Sequence, residues 1–217
     1  GAPLGPAERE SLGARMPGAR RFGCVLERLR DWSETRAAIP ICLRERAQGA
    51  EVTVFVQTTV DPMVCQWVER EIGPVVVLGD TVEKAAKCIR GHGLDEILWA
   101  SNIAWGCSFL TILASQRLAP VQSVHFAQPH TTGLRCVDVF RVGKSVSLGA
   151  DPGSRFVEKL DQTNGAEIKF HVLTHQVSDI KARAPGGEEI RLVSGANFYK
   201  LVPDTWKVWA QVLKRVP

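Results

Sequence analysis

Hydrophobic and polar positions along the chain alternate between the periodicity of a β-strand and that of an α-helix. Their order predicts alternating strands and helices. Short apolar, β-branched runs such as EVTVFV at 51–56 indicate strands. Segments with apolar residues three or four positions apart, such as 33–46, indicate helices. The predicted strands cover 21–26, 51–56, 74–78, 96–100 and 120–126, and the predicted helices cover 33–46, 61–72, 81–90 and 108–117. Alternation of this kind predicts a doubly wound, Rossmann-like parallel sheet in an α/β protein.

Local signals refine these elements. The run PVVVL at 74–78 is apolar throughout, which predicts a strand that neighbouring elements cover on both faces. Asp61 is expected to cap the helix that follows it, and Asp31 or Ser33 the helix at 33–46. Ligands of doubly wound sheets bind at the carboxyl ends of the strands, so the loop 128–133 is expected at the functional edge.

The alternation weakens after Asp138. The sequence predicts a turn at 151–154, a short helix that continues to Leu160, and a strand at 167–173. A last strand and a helix follow, the helix capped by Asp204 with one apolar face formed by Trp206, Trp209, Val212 and Leu213. We therefore expect four segments, which are a flexible start at 1–20, a Rossmann-like half at 21–181, a linker at 182–188 and a final unit at 189–217.

Composition narrows the class of protein. The 217 residues are 45% hydrophobic with a net charge of +4, so the chain can bury a core, and it has no clustered basic patch for nucleic acid. No apolar run approaches the roughly 20 residues that a membrane span needs. The six cysteines form no C-x-x-C pair, which argues against a metal site and favours a reducing compartment. The expected location is the cytoplasm or the nucleus.

The segment from Leu118 to Phe140 combines several short motifs in order. It reads LAPVQ, a short apolar strand, QPHTTG and then VDVF. This order resembles the catalytic region of the O-linked N-acetylglucosamine transferase and SPINDLY family, which is family 41 of the glycosyltransferases. The resemblance implies that part of this segment forms the acceptor side of a cleft, namely Gln122, Pro129, Thr131, Thr132, Gly133 and Asp138.

A second motif lies at 197–217. It begins NFYK and ends VLKRVP, and it resembles the first strand and helix of the nucleotide-sugar-binding half of the same family. The resemblance implies that Lys200 contacts the donor diphosphate and that Asn197, where the family has Gln, also binds the donor. A cation at this place stabilises the negative charge that develops on a diphosphate leaving group.

The candidates for the catalytic base are acidic residues and histidines. Many members of the family have a His after the first strand, but this chain has the sequence RDWSE there. Glu34 or Asp31 could accept a proton, although Asp31 or Ser33 also suits a helix cap. His130 or His125 could line the cleft or pack as an ordinary polar residue. We name His130 and Glu34 as the catalytic candidates.

The resemblance covers about 21–217 and implies a GT-B fold, with this chain supplying the first half and the opening strand and helix of the second. The implied reaction is inverting transfer of N-acetylglucosamine from UDP-GlcNAc to a Ser or Thr hydroxyl of an acceptor protein, with no metal and no further cofactor. The SPINDLY branch implies fucose from a GDP donor instead. Because most of the second half is absent from the sequence, we expect little activity from this chain alone and a parent protein that carries the rest.

Two alternatives belong to other classes. The first is a non-catalytic binding or scaffolding protein built on the first half of such a transferase. The second is a Rossmann-like enzyme that uses a nicotinamide cofactor. For the second, the segment Gly91–His92–Gly93 lacks the third glycine of the dinucleotide-binding fingerprint.

Overall fold

The structure is a computed structural model that describes residues 18–104, 107–126, 128–144, 151–163, 171 and 201–215. The chain divides into two compact units, Gly1–Gln176 and Val177–Pro217. The predicted boundaries at 181–189 stay a prediction. The strands of the first unit are β1 Arg21–Leu26, β2 Glu51–Val56, β3 Val75–Val77, β4 Glu96–Trp99, β5 Val121–Val124, β6 Val139–Gly143 and β7 Lys159–Thr163.

These strands form one parallel sheet in the order β3-β2-β1-β4-β5-β6-β7. The helices that connect them are α1 Ser33–Ala47, α2 Pro62–Glu71, α3 Val82–Gly91 and α4 Phe109–Ala114. Strands β2 and β3 lie on one side of β1, and the chain then crosses over the sheet so that β4 lies on the other side of β1. The predicted doubly wound α/β fold is confirmed, and its direction reverses between β1 and β4.

The sheet is buried on both faces, which explains why its central strands are apolar at nearly every position. Val25 and Phe55 face one core cluster, and Cys24, Leu26 and Val54 face the other. Successive side chains of a strand point to opposite faces, so one strand serves both clusters.

Two predictions in the first unit are wrong. The run around β3 was expected to be covered on both faces, but β3 is an edge strand and Val77 is 60% exposed. The segment up to Leu160 was expected to be helical, but it holds a single 3₁₀ turn at Gly153–Arg155 followed by β7. Pairing with β6, in which Leu160 lies opposite Phe140, supplies hydrogen bonds that the local sequence does not indicate.

The helix caps were predicted correctly in one case and wrongly in the other. Asp61 accepts hydrogen bonds from the backbone N–H groups of Met63 at 2.9 Å and Val64 at 3.2 Å, which confirms it as the cap of α2. Helix α1 has Trp32 in the capping position and no side-chain cap. Asp31 does not cap it because Arg36 binds both of its carboxylate oxygens, at 2.5 and 2.8 Å.

The second unit contributes helix α5, Pro203–Arg215, which begins one residue before the expected cap. Asp204 lies in its first turn and pairs with Lys207 at 3.0 Å. The predicted linker at 182–188 and strand at 190–196 lie outside the described residues, as do the strand at 167–173, apart from His171, and most of 1–20. No helix in the described ranges combines the length and the apolarity needed to cross a bilayer.

Candidate active site

An open groove of about 460 Å³ lies at the carboxyl edge of the sheet. Glu27, Gln57 and Asn102 line it from the segments that follow β1, β2 and β4, and residues 108–110 line it at the start of α4. Glu34, near the start of α1, completes the lining. The groove thus spans the ends of β1 and β4, the point where the sheet changes direction, and this is where doubly wound sheets bind ligands.

Glu34 brings a half-buried carboxylate to this groove. The Ser101 hydroxyl donates a hydrogen bond to its Oε2 at 2.8 Å, and the Asn102 backbone N–H donates to its Oε1 at 3.4 Å. A carboxylate can accept about four hydrogen bonds, so these two donors leave Glu34 able to accept a further one from a ligand hydroxyl. Of the two catalytic candidates, Glu34 is the one that the structure places in the groove.

A smaller pocket of about 70 Å³ shares two walls with the groove; it is lined by Glu27, Arg28, Trp32, Glu34 and Thr35. Arg28 pairs with Glu27 at 2.9 Å. The guanidinium of Arg30 lies 3.7 Å from the centre of the Trp32 ring. Trp32 is 45% exposed. Sequence reasoning missed Glu27 and Trp32 as site residues. Glu27 directly follows the buried strand β1, a position that could have indicated it, whereas Trp32 lies at the start of α1 and has no such signal.

The predicted cleft loop is held by an internal carboxylate. The Thr131 hydroxyl donates to Oε2 of the buried Glu158 at 2.7 Å, and the backbone N–H of Thr132 donates to Oε1 at 2.8 Å. The hydroxyl of Thr132 also donates to Glu158. Gly133 follows with a φ of +68°, a conformation that favours glycine, and Pro129 is exposed. The loop uses its hydroxyls within the fold, and the groove is lined by other residues.

The two histidines near this loop differ in environment. His130 is exposed, and its Nδ1 lies 2.8 Å from the carbonyl oxygen of Thr131. His125 is fully buried, and its Nε2 lies 3.2 Å from the carbonyl oxygen of Ala100. The pKa of His125 is lowered to about 4, mainly by burial and also by the charge of nearby Arg141, although the bond to the Ala100 carbonyl opposes this shift. His125 is therefore neutral at neutral pH.

Gln122 and Asp138 lie toward the amino ends of β5 and β6, at the opposite edge of the sheet from the groove. The fully buried Gln122 side chain donates to the Cys136 carbonyl at 2.6 Å and accepts from the Leu118 N–H at 3.1 Å. Asp138 accepts from Arg117 at 3.0 Å and from the Gln122 N–H at 2.9 Å. The structure does not bring these two residues together with Glu34.

The remaining site residues are Lys200 and Asn197, which lie outside the described residues, so their contacts with a donor stay predictions. Across the described ranges, no group of three or more His, Cys, Asp or Glu residues is arranged to hold a metal ion.

Comparison with known proteins gives structural neighbours and no sequence relatives. No protein-family model matches the chain, and none of the curated proteins matches it. A mutant O-GlcNAc transferase from Thermobaculum terrenum resembles it with a TM-score of 0.58 and 18% identity, over 66% of this chain and 27% of that one. The catalytic domain of starch synthase IV from Arabidopsis thaliana, bound to ADP and acarbose, gives a TM-score of 0.37 and 12% identity, over 72% of this chain and 31% of that one.

The first of these likenesses establishes the class of fold. The chain has a Rossmann-like α/β fold of the kind found in GT-B glycosyltransferases, as the sequence predicted. More particularly, the transferase that it resembles is an O-GlcNAc transferase, of whose length this chain covers 27%.

Proposed function

We propose that this chain is the acceptor-side part of a GT-B glycosyltransferase. The observation that carries the proposal is the Glu34 carboxylate, which lines a groove at the switch point of the sheet with capacity for another hydrogen bond. The likeness in fold to a glycosyltransferase supports the same class of reaction.

The reaction that fits best is inverting transfer of N-acetylglucosamine from UDP-GlcNAc to a Ser or Thr hydroxyl of a protein. The motifs at 118–140 support this choice over other sugar transfers, together with the likeness to an O-GlcNAc transferase. In this reaction the acceptor oxygen bonds to the anomeric carbon while the bond from that carbon to the diphosphate breaks. Glu34 accepts the proton of the hydroxyl, and UDP leaves with the bonding electrons. Lys200 remains the residue that the sequence motif predicts to stabilise the charge of this leaving group.

The groove suits an extended acceptor that carries hydroxyl and amide groups. The side chain of Gln57 offers an amide donor and acceptor, and that of Asn102 offers an amide donor, since its oxygen already accepts from the Ala104 N–H. The Ser108 hydroxyl is bonded to Thr111 at the start of α4. Phe109 and Leu110 add apolar surface along the same wall. Pockets with this mixture of a few placed polar groups and apolar walls fix the orientation of a bound ligand.

The test is a single-turnover transfer assay with the full chain in excess over labelled donor, so that slow transfer is measurable. UDP-GlcNAc and GDP-fucose are compared with an acceptor peptide rich in Ser and Thr. We expect slow transfer from UDP-GlcNAc and a loss of roughly 10²- to 10⁴-fold in Glu34→Gln, which keeps the shape of the side chain but cannot take the proton.

The matched control is Glu83→Gln, which alters an exposed glutamate in the first turn of α3 and should leave the rate unchanged. Equal rates in Glu34→Gln and the native chain would refute the role of Glu34. Transfer from GDP-fucose alone would identify the SPINDLY-like reaction. No transfer from either donor would refute catalysis by this chain and favour the binding or scaffolding alternative.

A further inference from the structure

We infer that Ser101 and Gln128 are positioning residues that hold the Glu34 carboxylate in its orientation in the groove. The inference rests on the proposed function, because the group that they hold is the proposed proton acceptor. Neither residue lines the groove, so neither is expected to touch a substrate.

The hydroxyl of Ser101 has one possible direction for its proton. Its oxygen accepts a hydrogen bond from the Glu27 backbone N–H at 2.8 Å and lies 2.8 Å from Glu34 Oε2. Because a backbone N–H can only donate, the Ser101 hydroxyl accepts from Glu27 and donates its own proton to Glu34. Ser101 is 1% exposed, so its hydroxyl is enclosed by the protein.

Gln128 in turn fixes the segment that carries Ser101. Its Nε2 donates to the carbonyl oxygen of Ser101 at 2.8 Å, and its Oε1 accepts from the backbone N–H groups of Ile103 at 2.9 Å and Ala104 at 3.1 Å. The side chain is 2% exposed. One buried amide therefore binds three backbone groups of the loop that follows β4. The Ser101 carbonyl and the Ile103 N–H would be costly to bury unpaired, and the Ala104 N–H also donates to Asn102 Oδ1.

These contacts join the ends of three strands to the start of one helix. The chain of hydrogen bonds runs from Gln128, after β5, to Ser101, after β4, and from there to Glu34 in α1, with Glu27 after β1 bound to the same hydroxyl. A catalytic side chain must be held within a fraction of an ångström of its productive position, and buried hydrogen-bonded neighbours provide this restraint. The network has the arrangement that such a restraint requires.

The same sheet provides a matched comparison. The Ser123 hydroxyl donates to Oε1 of Glu96 at 2.7 Å, and both side chains are buried and distant from the groove lining. Ser101→Ala and Ser123→Ala therefore remove the same kind of Ser–Glu hydrogen bond, but only Ser101→Ala removes one that orients Glu34.

The experiment is carboxyl ¹³C NMR of the full chain labelled at glutamate, at one fixed pH, with the Glu34 line assigned through Glu34→Gln. We expect the Glu34 line to shift and broaden in Ser101→Ala and in Gln128→Glu, which places a carboxylate oxygen against the Ser101 carbonyl. Ser101→Thr, which keeps the hydroxyl, should restore the native line. Ser123→Ala should leave the Glu34 line in place. Where transfer is measurable, Ser101→Ala should lower kcat roughly tenfold with little change in KM.

A native Glu34 line in a folded Ser101→Ala or Gln128→Glu protein would overturn the inference. If Ser101→Ala does not fold, the Glu34 line is compared between Gln128→Glu, where it should shift, and Ser101→Thr, where it should keep its native position. The NMR result does not depend on catalysis, so a chain without transfer activity but with the expected line shifts would refute the proposed function and leave the positioning role supported.

Discussion

Glutamates lie at both the amino ends and the carboxyl ends of the strands, but they are buried to different extents and have different partners at the two edges of the sheet. At the amino edge, Arg20, Glu45, Glu96 and Arg141 form what we term the amino-edge cluster. In it Glu45 lies 2.6 Å from Arg20 and 3.4 Å from Arg141, and Glu96 pairs with both arginines. At the carboxyl edge, Glu34 has two hydrogen-bond donors and borders an open groove.

The electrostatics of the amino-edge cluster show what enclosure does. Burial raises the pKa of Glu45, but the charges of Arg20 and Arg141 and the bond from Arg44 more than offset this, so the pKa ends below its usual value. The carboxylate is therefore ionised and depends on its cations. A glutamate therefore supports the fold where cations enclose it and is a candidate for chemistry where a groove leaves it accessible.

The largest effect is expected from breaking the amino-edge cluster. Arg141→Ala leaves Glu45 and Glu96 buried with one cation fewer, and it should lower the free energy of unfolding by roughly 3–5 kcal/mol. Arg70→Ala, which breaks the exposed pair with Glu71, should cost less than about 1 kcal/mol. Urea unfolding measures both, and similar values for the two variants would show that enclosure of the carboxylates does not set the cost.

The second prediction concerns His125, which lies beyond the end of β5 but is enclosed like the amino-edge cluster. Its pKa falls from 6.5 to about 4 on folding, so the unfolded chain binds the proton more readily in this interval. Its contribution to stability is complete above pH 6.5 and is lost as the pH falls toward 4. We expect a loss of roughly 2–3 kcal/mol over this range.

Urea unfolding at several pH values checks this dependence. His125→Asn should reduce the dependence of the free energy of unfolding on pH between pH 6.5 and 4. His130→Asn, which alters an exposed histidine nearby, should keep the native dependence. An unchanged slope in His125→Asn would show that other groups cause the loss.

The smallest predicted changes in the free energy of unfolding concern two glutamines, one enclosed and one in the groove wall. Gln122→Met removes the bonds to the Leu118 N–H and the Cys136 carbonyl, and it should cost about 2 kcal/mol because these backbone groups stay buried. Gln57→Met alters a half-buried residue of the groove wall and should change stability by less than about 0.5 kcal/mol. Thermal or urea unfolding of both variants sharpens the contrast between enclosed and accessible polar groups, and equal costs would contradict it.

Much of the fold was predictable because its signals are local. The strand bounds at 21–26 and 51–56 agree with the structure, since hydrophobic period and β-branched content are read directly from the sequence. Strand β7 was missed because its sequence, KLDQT, has little β-branched content and its pairing with β6 is a tertiary contact. The exposure of Val77 was missed because strand order, which places β3 at an edge, is not a local property.

The order of strands and helices and the choice of Glu34 as a candidate proton acceptor follow from local information, because periodicity and residue type are properties of the sequence. Which polar residues face a groove and which are enclosed depends on how the elements pack. Ser101 lies far along the chain from Glu34 and Gln128 far from Ser101, and these contacts form only when the ends of β1, β4 and β5 are brought to one edge. Hydrogen-bond partners at such separations are set by strand order, and local patterning carries no record of that order.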